Sequence, residues 1–234
     1  QPKLVDVKTS SNTGLRQLTT VIAKNNPELV NLGYYAMSNV YFSQVASLTK
    51  VELVNLPKVT KVILDRNSIS ELNVTDLFIE NLPVQGNKLT DNVFDNLQNL
   101  PNLKTLDLSL NQLTEVKLDK IDVENLPNLI SLNMEGNSEL TSINIQDQPK
   151  LVDVKTSSNT GLRQLTTVIA KNNPELVNLG YYAMSNVYFS QVASLTKVEL
   201  VNLPKVTKVI LDRNSISELN VTDLFIENLP VQGN

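Results

Sequence analysis

The chain has 234 residues, 20 of them basic and 24 acidic, with a formal net charge of −4 and no Cys, His or Trp. Without cysteine there are no disulfides and no thiol chemistry, and without His or Cys a nucleophile–base pair would need Ser with Lys or paired carboxylates. The charges are interspersed, so no basic stripe points to nucleic acid, and no apolar run reaches the roughly 18 residues of a membrane helix.

In chain order, five coils open on a proline and close ten residues later on a turn position. They run Pro2 to Asn12, Pro27 to Met37, Pro57 to Asn67, Pro101 to Asn111 and Pro127 to Asn137. Between them lie alternating pairs such as Val62 and Leu64, Leu106 and Leu108, or Leu132 and Met134. That alternation predicts a short strand with its apolar side chains on one face. Proline lacks an N–H and so suits the corner before the strand. The asparagines at the turn (Asn12, Asn67, Asn87, Asn111, Asn137 and Asn159) read as structural, their amides serving backbone groups that no sheet partner reaches. A second alternation follows on the return side, as Leu18-x-x-Val21-x-Ala23, Leu48-x-x-Val51-x-Leu53 and Leu140-x-x-Ile143-x-Ile145. It predicts a second short strand in most coils.

Two coils stand apart. Val93, Leu97 and Leu100 follow Thr90-Asp91 at helical spacing and predict one or two helical turns. The second coil carries extra length, Ser38–Ala46, which predicts a bulge from one face. With Tyr34, Tyr35, Tyr41 and Phe42 it is the richest aromatic patch and the candidate interaction surface.

The stretch Leu103-x-x-Leu106-x-Leu108-x-x-Asn111-x-Leu113 resembles one coil of a leucine-rich repeat, and coil lengths of 20 to 30 residues resemble that superfamily. The resemblance implies a mostly β solenoid of the α/β class: a parallel sheet, short second strands and little helix on the convex side. The mixture of a 24-residue coil with two-stranded coils resembles extracellular and cell-surface members and implies an extracellular or cell-surface location. Residues 1–87 recur without change as residues 148–234, so residues 1–147 read as one six-coil unit, residues 148–234 as a partial copy, and residues 1–234 as one continuous solenoid. Identity at surface positions exceeds what packing requires.

These features predict a non-enzymatic structural protein, a rod or fibre of tandem 147-residue units. Its partners would be neighbouring copies of itself, end to end or lateral. The alternative is a surface adhesin or receptor-type module recognising protein or glycan. Asn73-Val74-Thr75 and its copy at Asn220 are sequons, making Asn73 and Asn220 candidate N-glycosylation sites. No catalytic residue, cofactor, metal site, nucleic-acid partner or membrane insertion is expected; Asp91-Asn92, Asp95-Asn96 and the Asp119, Asp122, Glu124 group read as capping and solvated surface.

Overall fold

A computed structural model describes residues 3–34, 39–181 and 186–234. The chain forms two compact units, Gln1–Asn111 with Glu124–Asn128, and Gln112–Val123 with Leu129–Asn234. Each is a parallel β-solenoid.

In the first unit the strands are β1 (Asp6–Lys8), β2 (Thr20–Lys24), β3 (Asn31–Gly33), β4 (Val40–Tyr41), β5 (Lys50–Val54), β6 (Val62–Ile63), β7 (Glu71–Thr75), β8 (Asn81–Pro83), β9 (Leu97–Gln98) and β10 (Thr105–Asp107). The first sheet runs β1–β3–β4–β6, with β8 and β10 paired; the second runs β2–β5–β7–β9. The strand pairings of this unit are parallel and in register, as Val21↔Val51 and Val51↔Leu72 illustrate. The predicted two-sheeted coil is therefore present. Inward-facing Val40, Val62, Val51, Leu53 and Val74 meet between the sheets at 0% exposure. No single coil encloses such an interior; stacking does.

The second unit repeats this plan with β11 (Glu115–Leu118), β12 (Ser131–Asn133), β13 (Ser142–Gln146), β14 (Asp153–Lys155), β15 (Thr167–Lys171), β16 (Asn178–Gly180), β17 (Val187–Tyr188), β18 (Lys197–Val201), β19 (Val209–Ile210) and β20 (Glu218–Thr222). One sheet runs β12–β14–β16–β17–β19 and the other β11–β13–β15–β18–β20.

Helix is scarce. The predicted turns are a 3-10 helix at Asp91–Asn96, burying Val93 and Phe94. An α-helix at Lys120–Asn125 went unpredicted; the Asp122 carboxylate accepts the Asp119 backbone N–H at 2.7 Å, which caps its start.

The second coil differs from its prediction. Among its described residues the extra length holds an additional strand in the first sheet: Leu32 pairs with Val40 and Gly33 with Tyr41. Only residues 34–39 join these parallel strands, whereas parallel neighbours ordinarily need a crossover of about a dozen residues or more. Gly33 makes the close approach feasible. Its φ is +105°, and a Cβ there would lie 2.4 Å from the Tyr41 carbonyl oxygen.

Asparagine side chains stitch one corner. Asn67 donates from Nδ2 to the Phe42 and Leu64 carbonyls (2.6 and 2.8 Å) and accepts the Val45 N–H at 2.7 Å. Asn87 and Asn111 likewise accept the N–H groups of Ile69 and Leu89, and Asn137 that of Leu113. A left-handed residue precedes each of them, namely Arg66, Gly86, Leu110 and Gly136. Asn12 and Asn159 behave differently. They open short 3-10 turns, and their Oδ1 atoms are buried without a partner. Met37 lies outside the described residues.

Candidate interaction surface

Strand alternation points one column of side chains outward from the first sheet. Lys8 stands beside Gly33, Gly33 beside Tyr41, Tyr41 beside Ile63, and Pro83 beside Asp107. The Leu64 N–H bonds to the Pro83 carbonyl at 3.2 Å, so Pro83 follows Ile63. The sequence places Lys8, Gly33, Ile63, Pro83, Asp107 and Asn133 outward; Tyr41 enters this column only because β4 is a strand. The result is an apolar stretch, Gly33–Tyr41–Ile63–Pro83, with a cation before it and a carboxylate after it. The Tyr34 ring flanks it, its centroid 6.3 Å from that of Tyr41 and tilted 56°. Tyr34 and Tyr41 are half-buried.

The aromatic patch is thus smaller than its sequence suggests. Phe42 is 2% exposed and belongs to the core, a correction that follows from alternation: next to an outward Tyr41, Phe42 must face inward. Tyr35 lies outside the described residues. The second unit presents the same stretch as Gly180, Tyr188 and Ile210.

The sequons sit on the second sheet. Asn73 is half-buried on β7, and its Oδ1 accepts the Thr75 hydroxyl at 2.7 Å; Asn220 is exposed on β20, with the same bond from Thr222 at 2.5 Å. Beside Asn73 lies a shallow polar groove lined by Lys50, Glu52, Glu71, Asn92 and Asn96.

Charged side chains cross this sheet as a chain of ion pairs. Glu52 pairs with Lys24 and, at 3.0 Å, with Lys50; Lys50 reaches Glu71 at 3.2 Å. Hydrogen bonds from Lys24 and then Lys50 hold the Glu52 carboxyl below its ordinary range, and those to Glu52 and Glu71 hold the Lys50 ammonium above its own. The second unit repeats this at Lys171, Glu199, Lys197 and Glu218.

Among the described residues no group of three or more acidic, His or Cys side chains is placed to hold a metal ion, and no helix is long and apolar enough to cross a membrane. A further feature escaped the sequence reading. The second strands end on left-handed Asn or Asp residues (Asn25, Asn55, Asp76 and Asn99 in the first unit), which bond along the stack, Asn55 to Asn25 at 3.0 Å and Asn99 to Asp76 at 2.6 Å. For Asn25, Asn55 and Asn99 the sequence signal is a proline two residues on, as in Asn55-Leu56-Pro57 and Asn99-Leu100-Pro101; Asp76, followed by Leu77-Phe78, lacks it.

No family model matches the chain, and a search of curated proteins finds no match to it.

Proposed function

We propose that this chain belongs to a non-enzymatic structural protein of the cell exterior, a leucine-rich-repeat rod or fibre grown from tandem 147-residue units. The observation that carries this reading is the identity of residues 1–87 with 148–234 at exposed as well as buried positions. A recognition site would need only one copy of its surface. A lattice or rod benefits from presenting every side of its unit again at a fixed interval. The leucine columns and the Asn67–Asn87–Asn111 ladder support the repeat-family reading, and the scarcity of helix favours its two-stranded surface forms.

Electron microscopy of native material with the intact chain mass tests the proposal. Filaments with an axial repeat near six coils, about 29 Å at about 4.8 Å per coil, are expected. Discrete short particles one or two units in mass refute it.

The second reading is a surface adhesin or receptor-type module that grips a protein or glycan. It is favoured by the outward Tyr41–Ile63–Pro83 stretch, since tyrosine offers area with a polar tip. Replacing Tyr41 and Tyr188 with alanine should then weaken attachment to the partner surface; unchanged attachment removes this reading.

A further inference from the structure

Unequal strand pairing opens the groove beside Asn73, on the outer face of the second sheet. β5 and β7 pair over their full length, from Lys50↔Glu71 through Glu52↔Asn73 to Val54↔Thr75. β9 pairs with β7 only at Val74↔Leu97 and Thr75↔Gln98, because the chain before it runs as the 3-10 helix Asp91–Asn96. Alongside Glu71 and Asn73 the next layer is therefore a helical turn and not a strand. Asn73 faces outward, by alternation with buried Leu72 and Val74. Lys50 and Glu52 line the groove on one side of it, and Asn92 and Asn96 on the other.

The chemistry of this groove suits a neutral, hydroxyl-rich ligand. Its charges are already matched: Lys50 pairs with Glu52 at 3.0 Å and with Glu71 at 3.2 Å, so an ionic ligand would have to displace one of these partners. Its amides are only half used. The Asn73 side chain bonds through Oδ1 alone, accepting the Thr75 hydroxyl. That of Asn92 accepts the Thr90 hydroxyl at Oδ1 (3.0 Å), and that of Asn96 donates from Nδ2 to the Asn92 carbonyl (3.0 Å). Nδ2 of Asn73, Nδ2 of Asn92 and Oδ1 of Asn96 have no partner among the described residues, which leaves donors and an acceptor around one groove. A shallow groove grips a free sugar poorly, but a tethered sugar is held there at high effective concentration.

We infer that Asn73 carries an N-linked glycan whose first sugar, an N-acetylhexosamine, lies in this groove and ties the Asp91–Asn96 turn to β7. The sequon Asn73-Val74-Thr75 supplies the attachment point. An oligosaccharyl transferase makes the bond, and the donor is a lipid-pyrophosphate-linked oligosaccharide. The bond from the sugar C1 to the pyrophosphate oxygen breaks, and the lipid pyrophosphate leaves with its electron pair. C1 bonds to Asn73 Nδ2, and that nitrogen loses one proton. Transfer takes place on the extended chain, before β5, β7 and the helical turn close around the site, so half-burial in the folded state is no obstacle. The Thr75 hydroxyl holds Oδ1, which leaves Nδ2, the atom that takes the sugar, as the free end of the amide. The acetamido and hydroxyl groups of the sugar then meet Nδ2 of Asn92 and Oδ1 of Asn96.

The seated sugar rests on the cell-exterior part of the proposed function but fails separately from it, since filaments are read by microscopy and the sugar by exchange within one turn.

The test uses the chain with Asn220→Gln, so that one sequon remains, made in a eukaryotic secretory host and in a bacterial host that adds no N-glycan. An endoglycosidase trims the secreted protein to the single sugar on Asn73. Amide exchange is followed at Val93, whose N–H bonds to the Thr90 carbonyl at 3.0 Å at the start of the turn. Exchange there should be severalfold slower with the sugar than without it, while Val51, buried in β5, is unchanged. Cross-relaxation in the nuclear magnetic resonance spectrum should connect the sugar's acetyl methyl to the side-chain amides of Asn92 or Asn96. Asn92→Ala with Asn96→Ala, made in both hosts, should remove the sugar's effect at Val93; the sugar-free pair reports what the substitutions do by themselves. A secreted chain with no sugar on Asn73 overturns the inference. So does a single-sugar form that exchanges at Val93 like the sugar-free form, an acetyl methyl with no contact to either amide, or a slowing that survives in the double variant.

Discussion

Replacing Asn67 with alanine tests whether the corner asparagines hold the coils together. Asn67 is 8% exposed, and its side chain serves three backbone groups: the carbonyls of Phe42 and Leu64 and the N–H of Val45. Alanine strands all three. A buried backbone group left unpaired costs about 1–3 kcal/mol, and partial entry of water lowers the sum, so a loss of about 3–5 kcal/mol is expected. Asn67→Asp should cost at least as much, because a carboxylate oxygen would then face two carbonyl oxygens at 2.6 and 2.8 Å. The matched control is Asn12→Ala. Its Oδ1 has no partner to lose, so a change under about 1 kcal/mol is expected. A solenoid of two compact units need not unfold in one step. The assay is therefore the denaturation midpoint together with amide exchange at Val45, whose protection should collapse in the alanine variant. Equal midpoints for Asn67→Ala and Asn12→Ala, with Val45 still protected, would refute the reasoning.

Gly33→Ala should destabilise by more than about 3 kcal/mol, since the left-handed backbone and the Tyr41 carbonyl oxygen both reject a Cβ; a thermal melt close to wild type would show that β3 and β4 can part cheaply. The ion-pair chains predict an acid response. With the folded carboxyls of Glu52 and Glu199 held below the ordinary glutamate value, about 4.3, their contribution is full above that value and is lost as pH falls through the folded pKa beneath it. Paired Glu52→Gln and Glu199→Gln should therefore flatten the acid limb of a melting-temperature profile; an unchanged limb places the acid sensitivity elsewhere. Lys50 and Lys197 run oppositely, contributing fully below the ordinary lysine value and losing that contribution as pH rises through their higher folded values. Passage through a eukaryotic secretory pathway should add a glycan at Asn220, seen as a glycosidase-sensitive mass shift abolished when Asn73 and Asn220 both become Gln; an unshifted mass means that neither sequon is used.

Leucine spacing made much of this fold legible. Leu106 and Leu108, two apart with Asp107 between them, announce a strand whose inner face is apolar, and β10 is there. Val116 and Leu118 announce β11 in the same way. The miss at Tyr41 and Phe42 has a clear cause. Val40-x-Phe42 has the alternation of a strand, but the six residues that part it from Gly33 are fewer than a parallel neighbour ordinarily allows, so the spacing alone points away from a paired strand. The glycine that permits the close approach is visible in the sequence; the approach itself is not. Asn12 and Asn159 occupy the expected register, yet their coils close with a Thr-Gly turn that draws the side chain away from the ladder. The apolar column of the candidate surface depends on that same additional strand: the sequence places Lys8, Gly33, Ile63, Pro83 and Asp107 outward, and Tyr41 joins them only through β4.

The extra strand also sets a direction. Between β1 and β6 the first sheet takes three steps, while between β2 and β7 the second takes two. One step is about 4.8 Å, so over this segment of the first unit the first sheet advances about 5 Å more than the second. Within the first unit the unequal step count therefore traces to one two-residue strand, β4 (Val40–Tyr41), and a deletion that removes it should bring the two sheets back into step.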